Sequence, residues 1–205
     1  MTYHSECGQD QWLEENVFKG KRYGVFCEAG ALNGVLHSNT LFFERERVWS
    51  GVLIEANPFL SGILAQNRPG NTCINKALWD SETTVPFKQI MTGFYGWSGI
   101  VESFEPETVA RIDGSIPIEM TNVVDVATIT LNQALGNIPY LDYLSLDLEG
   151  AELRVLKAFD FSKCDIKVIG VEVNFSNDPL FHLLQSKGYT HLARVGQDEI
   201  WLKSA

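Results

Sequence analysis

Short apolar runs bounded by Gly, Asn or Asp alternate along this chain with stretches of helical periodicity, a rhythm that marks βαβ units and a parallel sheet. The pattern predicts a first helix over residues 9–18, with Trp12, Leu13 and Val17 on its inner face, and a first strand over 23–29. A glycine-containing turn then leads into a helix from about residue 38 to 47. The second strand is expected at 51–55, and Asn57-Pro58 opens a helix ending near Arg68, since Pro suits a first helical turn. The third strand is expected at 72–78.

From residue 79 to 130 the rhythm changes. Residues 83–87 and 118–126 alternate like strands, and a loop rich in Gly, Ser and Trp lies between them. This reads as an insertion near the active face, not as a second domain. The βα rhythm then resumes with a helix over 131–135, a fourth strand at 143–148, a helix over 151–159 and a fifth strand at 167–173. A helix over 179–187 and a hairpin of 189–195 and 199–203 close the chain. The expectation is one α/β domain over residues 1–205, an open sheet whose ligand site lies beyond the C-terminal ends of its strands.

Composition narrows the function classes. The 205 residues, 45% of them apolar, suffice for one full core. A formal net charge of -10 leaves no basic stripe for phosphates, so nucleic acid is not expected as the main partner, and anionic membranes would be repelled. The N-terminus lacks a cationic stretch followed by an apolar run, and no membrane-length apolar segment occurs, so a cytoplasmic protein without a membrane anchor is expected. Cys7, Cys27, Cys73 and Cys164 have no CxxC or zinc spacing and read as reduced thiols.

Three clusters carry chemistry. In the first, Val25 to Gly34, a strand ends in Glu28 and a turn containing Gly30, where a nucleoside cofactor can lie close to backbone. Leu32 occupies a position that a dinucleotide-binding G-x-G-x-x-G motif keeps as glycine, which disfavours a pyrophosphate. In the second, Glu55 ends the second strand, where a carboxylate can accept both hydroxyls of an adenosine ribose. The third strand ends in Asn75-Lys-Ala-Leu-Trp79, able to sandwich an adenine.

The third cluster, Leu144 to Glu152, is the most informative. Strand alternation is expected to point Asp147 and Glu149 to one side, while Glu152 falls in a first helical turn and reads as a cap. Glu172 and Asn174 leave the neighbouring strand and should approach Asp147. Asp147, Glu172 and Asn174 could hold a hard divalent cation such as Mg²⁺, or Glu172 and Asn174 could bind the hydroxyls of a sugar directly.

Together Gly8-Gln-Asp-Gln-Trp12, Glu28-Ala-Gly-Ala-Leu-Asn-Gly34, Ser38-Asn-Thr40, Gly51 to Pro58, Asn75-Lys-Ala-Leu78 and Leu144 to Glu152 resemble the FkbM family of class I S-adenosylmethionine-dependent methyltransferases. The resemblance implies a Rossmann-like, mostly parallel seven-stranded sheet in the order 3-2-1-4-5-7-6, and O-methylation of sugars or natural-product hydroxyls. By position it implies Glu28 and Gly30 beside the methionine part of the cofactor, Glu55 at the ribose, Ala77 and Leu78 at the adenine and Asp147 at the methyl-transfer centre. It also counts Asn33, Ser38, Asn39 and Ala56 among the cofactor-binding positions. Glu28 and Leu32 depart from the family's usual Asp and its smaller or polar residue.

Methyl transfer to an alcohol needs a positioned base. Asp147 or Glu149 is the first candidate, directly or through a cation, and His37 the second. Residues 92–103 are expected to wall the acceptor, with Trp97 stacking on a sugar face and Ser98 beside it. The competing expectations are a nucleotide-cofactor oxidoreductase and a glycan-binding module without turnover.

Overall fold

The computed structural model describes residues 1–174 and 178–204. Its central sheet is built from β1 (Val25–Ala29), β2 (Ser50–Ile54), β3 (Thr72–Ile74), β8 (Tyr140–Leu146), β9 (Asp165–Glu172), β10 (Tyr189–Val195) and β11 (Asp198–Lys203). In space the order is β3-β2-β1-β8-β9-β11-β10. Counting only these seven strands along the chain, the sequence of neighbours is 3-2-1-4-5-7-6, as the resemblance implies. The first five are parallel, and β11 runs antiparallel between β9 and β10.

Alternation along the strands divides the core in two. Cys27, Ala29, Val52, Ile54, Leu144 and Leu146 face one side, and pack with α5 (Leu131–Leu135), α6 (Glu152–Ala158) and α7 (Asp178–Ser186). Phe26, Leu53, Tyr143 and Val168 face the other, and pack with α1 (Gln9–Leu13), α2 (Leu41–Arg47) and α3 (Pro58–Asn67). Period-two strands buried on both faces are what a parallel sheet requires, because crossover helices cover each side. The expected first helix continues beyond Leu13 as a π-helical stretch, Glu14–Phe18. Asn57 caps α3, its side chain accepting a hydrogen bond from the Phe59 amide at 3.0 Å.

The stretch expected as one third strand divides. β3 stops at Ile74, and Ala77–Leu78 forms β4, which pairs with β7 (Thr121–Ile129) in a second sheet. At the break the Asn75 side-chain amide donates to the Glu55 carbonyl, just past β2, at 2.8 Å. The second sheet orders β4-β7-β5-β6, with β5 at Thr84–Ile90 and β6 at Gly99–Ile100. The loop expected between its strands contains a helix, α4 (Pro106–Ser115), with Pro in its first turn. Among the described residues, no helix is long and apolar enough to cross a membrane.

Candidate functional site

The C-terminal ends of β1, β2 and β8 converge at Gly30. Its φ is +83°, and a Cβ there would stand 2.1 Å from the Asp147 carbonyl oxygen. Only glycine fits both constraints. The Gly30 and Ala31 amides donate to the Ile54 carbonyl at 3.0 and 3.1 Å, and the Asp147 amide to the Ala29 carbonyl at 3.1 Å. Three strand exits are thereby locked together.

Glu55 completes the lock. Its carboxylate accepts from the Leu32 amide at 2.7 Å and the Asn57 amide at 2.6 Å. The Leu32 backbone is held at φ +49°, which explains how this turn manages without a second glycine. Burial pushes the Glu55 carboxyl up to about 7, against the opposing pull of those amides. Glu55 lines an open cavity of about 530 Å³, together with Ala56, Ala77, Leu78, Phe87, Ile100 and Ala151. A carboxylate beside an apolar slot suits a ribose with its adenine.

A second, open cleft of about 1150 Å³ is rich in acids: Glu28, Asp147, Glu149, Glu172 and Asp198 line it, with Arg111, His37, Phe94 and Trp97. The two cavities share Gly30, Leu32, Gly96 and Asp147, so they meet at the exits of β1 and β8.

Glu28 itself is occupied. Its oxygens accept from Ser38 Oγ at 2.9 Å, the Asn39 amide at 2.7 Å and Thr40 Oγ1 at 2.5 Å. Arg68, fully buried, stands 3.9 Å away, pairs with Glu44, and donates to the Gly34 carbonyl, Ser38 Oγ and Thr40 Oγ1. Ser38 therefore serves this network and lines neither cavity. Asn33 does not line them either: its side chain accepts from the Val35 and Leu36 amides at 3.0 and 2.8 Å. Asn39 does line the larger cleft.

The expected alternation of Asp147 and Glu149 does not hold, because β8 ends at Leu146 and Glu149 sits at φ +51°. Both still line the larger cleft, but Glu149 accepts from Arg111 Nη2 at 2.9 Å. Arg111, whose guanidinium also lies 4.6 Å from the Trp97 ring centre, was not legible beforehand. Asp147 is different: its Oδ1 is buried without a hydrogen-bond partner among the described residues. Burial first, then the Glu172 and Glu149 carboxylates, push its carboxyl far above the usual range. Burial raises Glu172 as well. Ser98 lines the smaller cavity, and its Oγ accepts from the Ile90 amide at 3.0 Å. His37 reaches Glu6 at 3.5 Å, on the rim of the cleft.

Among the described residues, Asp147, Glu152 and Glu172 come within ligand distance of one another. They do not fit a dedicated cation cage. The Glu152 carboxylate already accepts from the Leu148 amide at 2.7 Å and the Gly150 amide at 3.1 Å. Asn174 donates its amide to Glu172 at 2.8 Å. Glu152 does cap, as expected, though by folding back onto the turn before its helix.

A sheet in the order 3-2-1-4-5-7-6, with a buried acid ending the second strand and another just past the fourth, defines the class I methyltransferase fold. The model of the FkbM methyltransferase domain matches residues 28–190, and the chain belongs to that family of S-adenosylmethionine-dependent enzymes. Among solved structures, the methyltransferase FkbM of Methylobacillus flagellatus is similar at a TM-score of 0.52 and 11% identity, over 88% of this chain and 43% of that one. TrmK of M. capricolum, solved with S-adenosyl-homocysteine, is similar at 0.50 and 9%, over 98% and 68%. These likenesses concern the fold. No curated protein sequence matches the chain significantly.

Proposed function

We propose that this chain transfers a methyl group from S-adenosylmethionine to a hydroxyl of a sugar or glycan. The observation that carries the reading is the meeting of the two cavities at Asp147, one shaped for an adenosine and the other open and rich in acceptors. When bound, the cofactor supplies an electrophilic methyl group on a sulfonium.

Glu55 orients the ribose, and Ala77, Leu78 and Phe87 exclude water from the adenine. That placement aims the reacting end at Asp147, and orientation of this kind supplies on the order of 7 to 11 kcal/mol of barrier reduction. Asp147 and Glu172 act together as the proton acceptor. Burial raises both carboxyls, so in their ionised form they are stronger bases than an ordinary aspartate, and a positioned base contributes on the order of 10² to 10⁴-fold. Glu149, held by Arg111, positions Trp97 instead, whose face takes the C–H side of a sugar ring. The acid lining would repel a phosphate backbone, so a neutral polyhydroxyl acceptor is favoured over nucleic acid.

The test is a radiolabelled methyl assay on a panel of hexose and deoxyhexose glycans and small phenols, with calorimetry of S-adenosylhomocysteine alongside. Asp147→Asn is expected to lower kcat at least a hundredfold while retaining cofactor affinity. Incorporation only into phenols would sink the sugar assignment.

A further inference from the structure

The larger cleft also carries polar groups that no step above uses. Asp198, the first residue of β11, lines it and is 6% exposed. Its polar neighbours are amides: Gln9, and Asn39 Nδ2 at 3.5 Å. The charged groups acting on it, Glu6 and Glu199, are acids themselves. Asn39 lines the same cleft, is 8% exposed, and donates Nδ2 to Ser145 Oγ at 2.9 Å. Its Oδ1 has no donor among the described residues.

A buried carboxylate without a cation and a buried carbonyl oxygen without a donor are each costly, and one group relieves both costs. Of the cationic side chains that line the cleft, Arg111 is engaged by Glu149 and Trp97, and His37 lies 3.5 Å from Glu6. The missing partner must therefore come with the ligand. A primary ammonium, a point charge with three N–H donors, has the required chemistry.

We propose that Asp198 and Asn39 form an ammonium subsite for the α-amino group of the cofactor's methionyl arm. The inference rests on the cofactor reading above. Asn39 is anchored on Ser145, two residues before Asp147, a strand spacing of roughly 7 Å. The four bonds from sulfur to amino nitrogen in a methionyl chain, plus one hydrogen bond, cover that span. Glu28, the acid that the family pattern puts beside the methionine, is instead committed to Ser38, Asn39 and Thr40.

Calorimetry on the wild-type chain and Asp198→Asn would use three probes: S-adenosylhomocysteine, its des-amino analogue, and 5′-methylthioadenosine, which lacks the amino-acid arm. The substitution is expected to weaken S-adenosylhomocysteine tenfold or more and to leave the other two unchanged. Retained binding of 5′-methylthioadenosine also shows that the variant is folded. Equal loss for all three probes, or no loss for S-adenosylhomocysteine, overturns the subsite. A change confined to the KM of an amine-bearing acceptor does so too, by giving Asp198 and Asn39 to the acceptor. If the wild-type chain binds neither S-adenosylhomocysteine nor 5′-methylthioadenosine, the cofactor reading fails first and the subsite falls with it.

Discussion

Glu55 braces the turn after β1 and, in the proposed function, also holds the ribose. Its two oxygens accept from the Leu32 and Asn57 amides, and the residue also lines the smaller cavity. Two ribose hydroxyls need the ionised form, yet burial holds the carboxyl up at about 7. Binding below that pH must expel a proton. Cofactor affinity is therefore expected to be about tenfold weaker at pH 6 than at pH 8, with calorimetry of S-adenosylhomocysteine as the check. Glu55→Gln should lower the affinity and flatten the profile; an undiminished slope in that variant would remove Glu55 from the ribose.

At the scale of elements, the turn after β1 is held by Arg68, a residue from the end of α3 that touches neither cavity. Its guanidinium joins Glu28, Glu44, Ser38, Thr40 and the Gly34 carbonyl in one buried network. Arg68→Leu leaves Glu28 charged and unpaired inside the protein, an effect of about 3 to 5 kcal/mol on the usual scale of such losses. Denaturant titration should register that destabilisation, together with weaker cofactor binding at a distance. Unchanged stability would mean that Glu28 takes its proton and the network is dispensable.

The same elements explain what the chain discloses beforehand. Strands such as β1, β8 and β9 are legible because both faces are apolar, and the acids at their tips stand out against that background. α4 is not legible: Thr108 and Ile112 are its only buried residues, Val109 faces outward, and Gly114 interrupts the pattern. Arg111 was missed with it, although Pro106 followed by Glu107 is a helix start that could have been noticed. Asn75 hid the split of the third strand, since a side chain that captures a backbone carbonyl has no periodic signature. Asp198 was passed over because an acid at the start of a hairpin strand ordinarily faces water.

For the whole molecule, the acids matter as a population. Burial raises the carboxyls of Glu28, Asp147, Glu149 and Glu172, lifts Glu55 and Glu152 to about 7, and lifts Asp198 to about 6. A carboxyl whose folded value exceeds its unfolded value stabilises the fold below the unfolded value, and that contribution is lost as pH rises through the folded one. The ligand-free protein is accordingly expected to melt several degrees higher near pH 5 than near pH 8, in a thermal scan against pH. Saturating S-adenosylhomocysteine should recover part of the loss at pH 8 by mass action. A melting temperature that climbs steadily from pH 5 to 8 would contradict this account.

The handover at Asn75 also bears on how this enzyme could be re-engineered. Ala77 and Leu78 line the smaller cavity, proposed above for the adenine, yet their backbone partners are Thr128 and Ile129, and the Trp79 amide donates to the Ile129 carbonyl at 3.0 Å. An acceptor module exchanged between relatives at residue 79 would cut through that ladder and spoil the nucleoside slot. The seam for such a chimera lies one step earlier, between Lys76 and Ala77, so a new acceptor preference has to arrive with its own piece of the cofactor's wall.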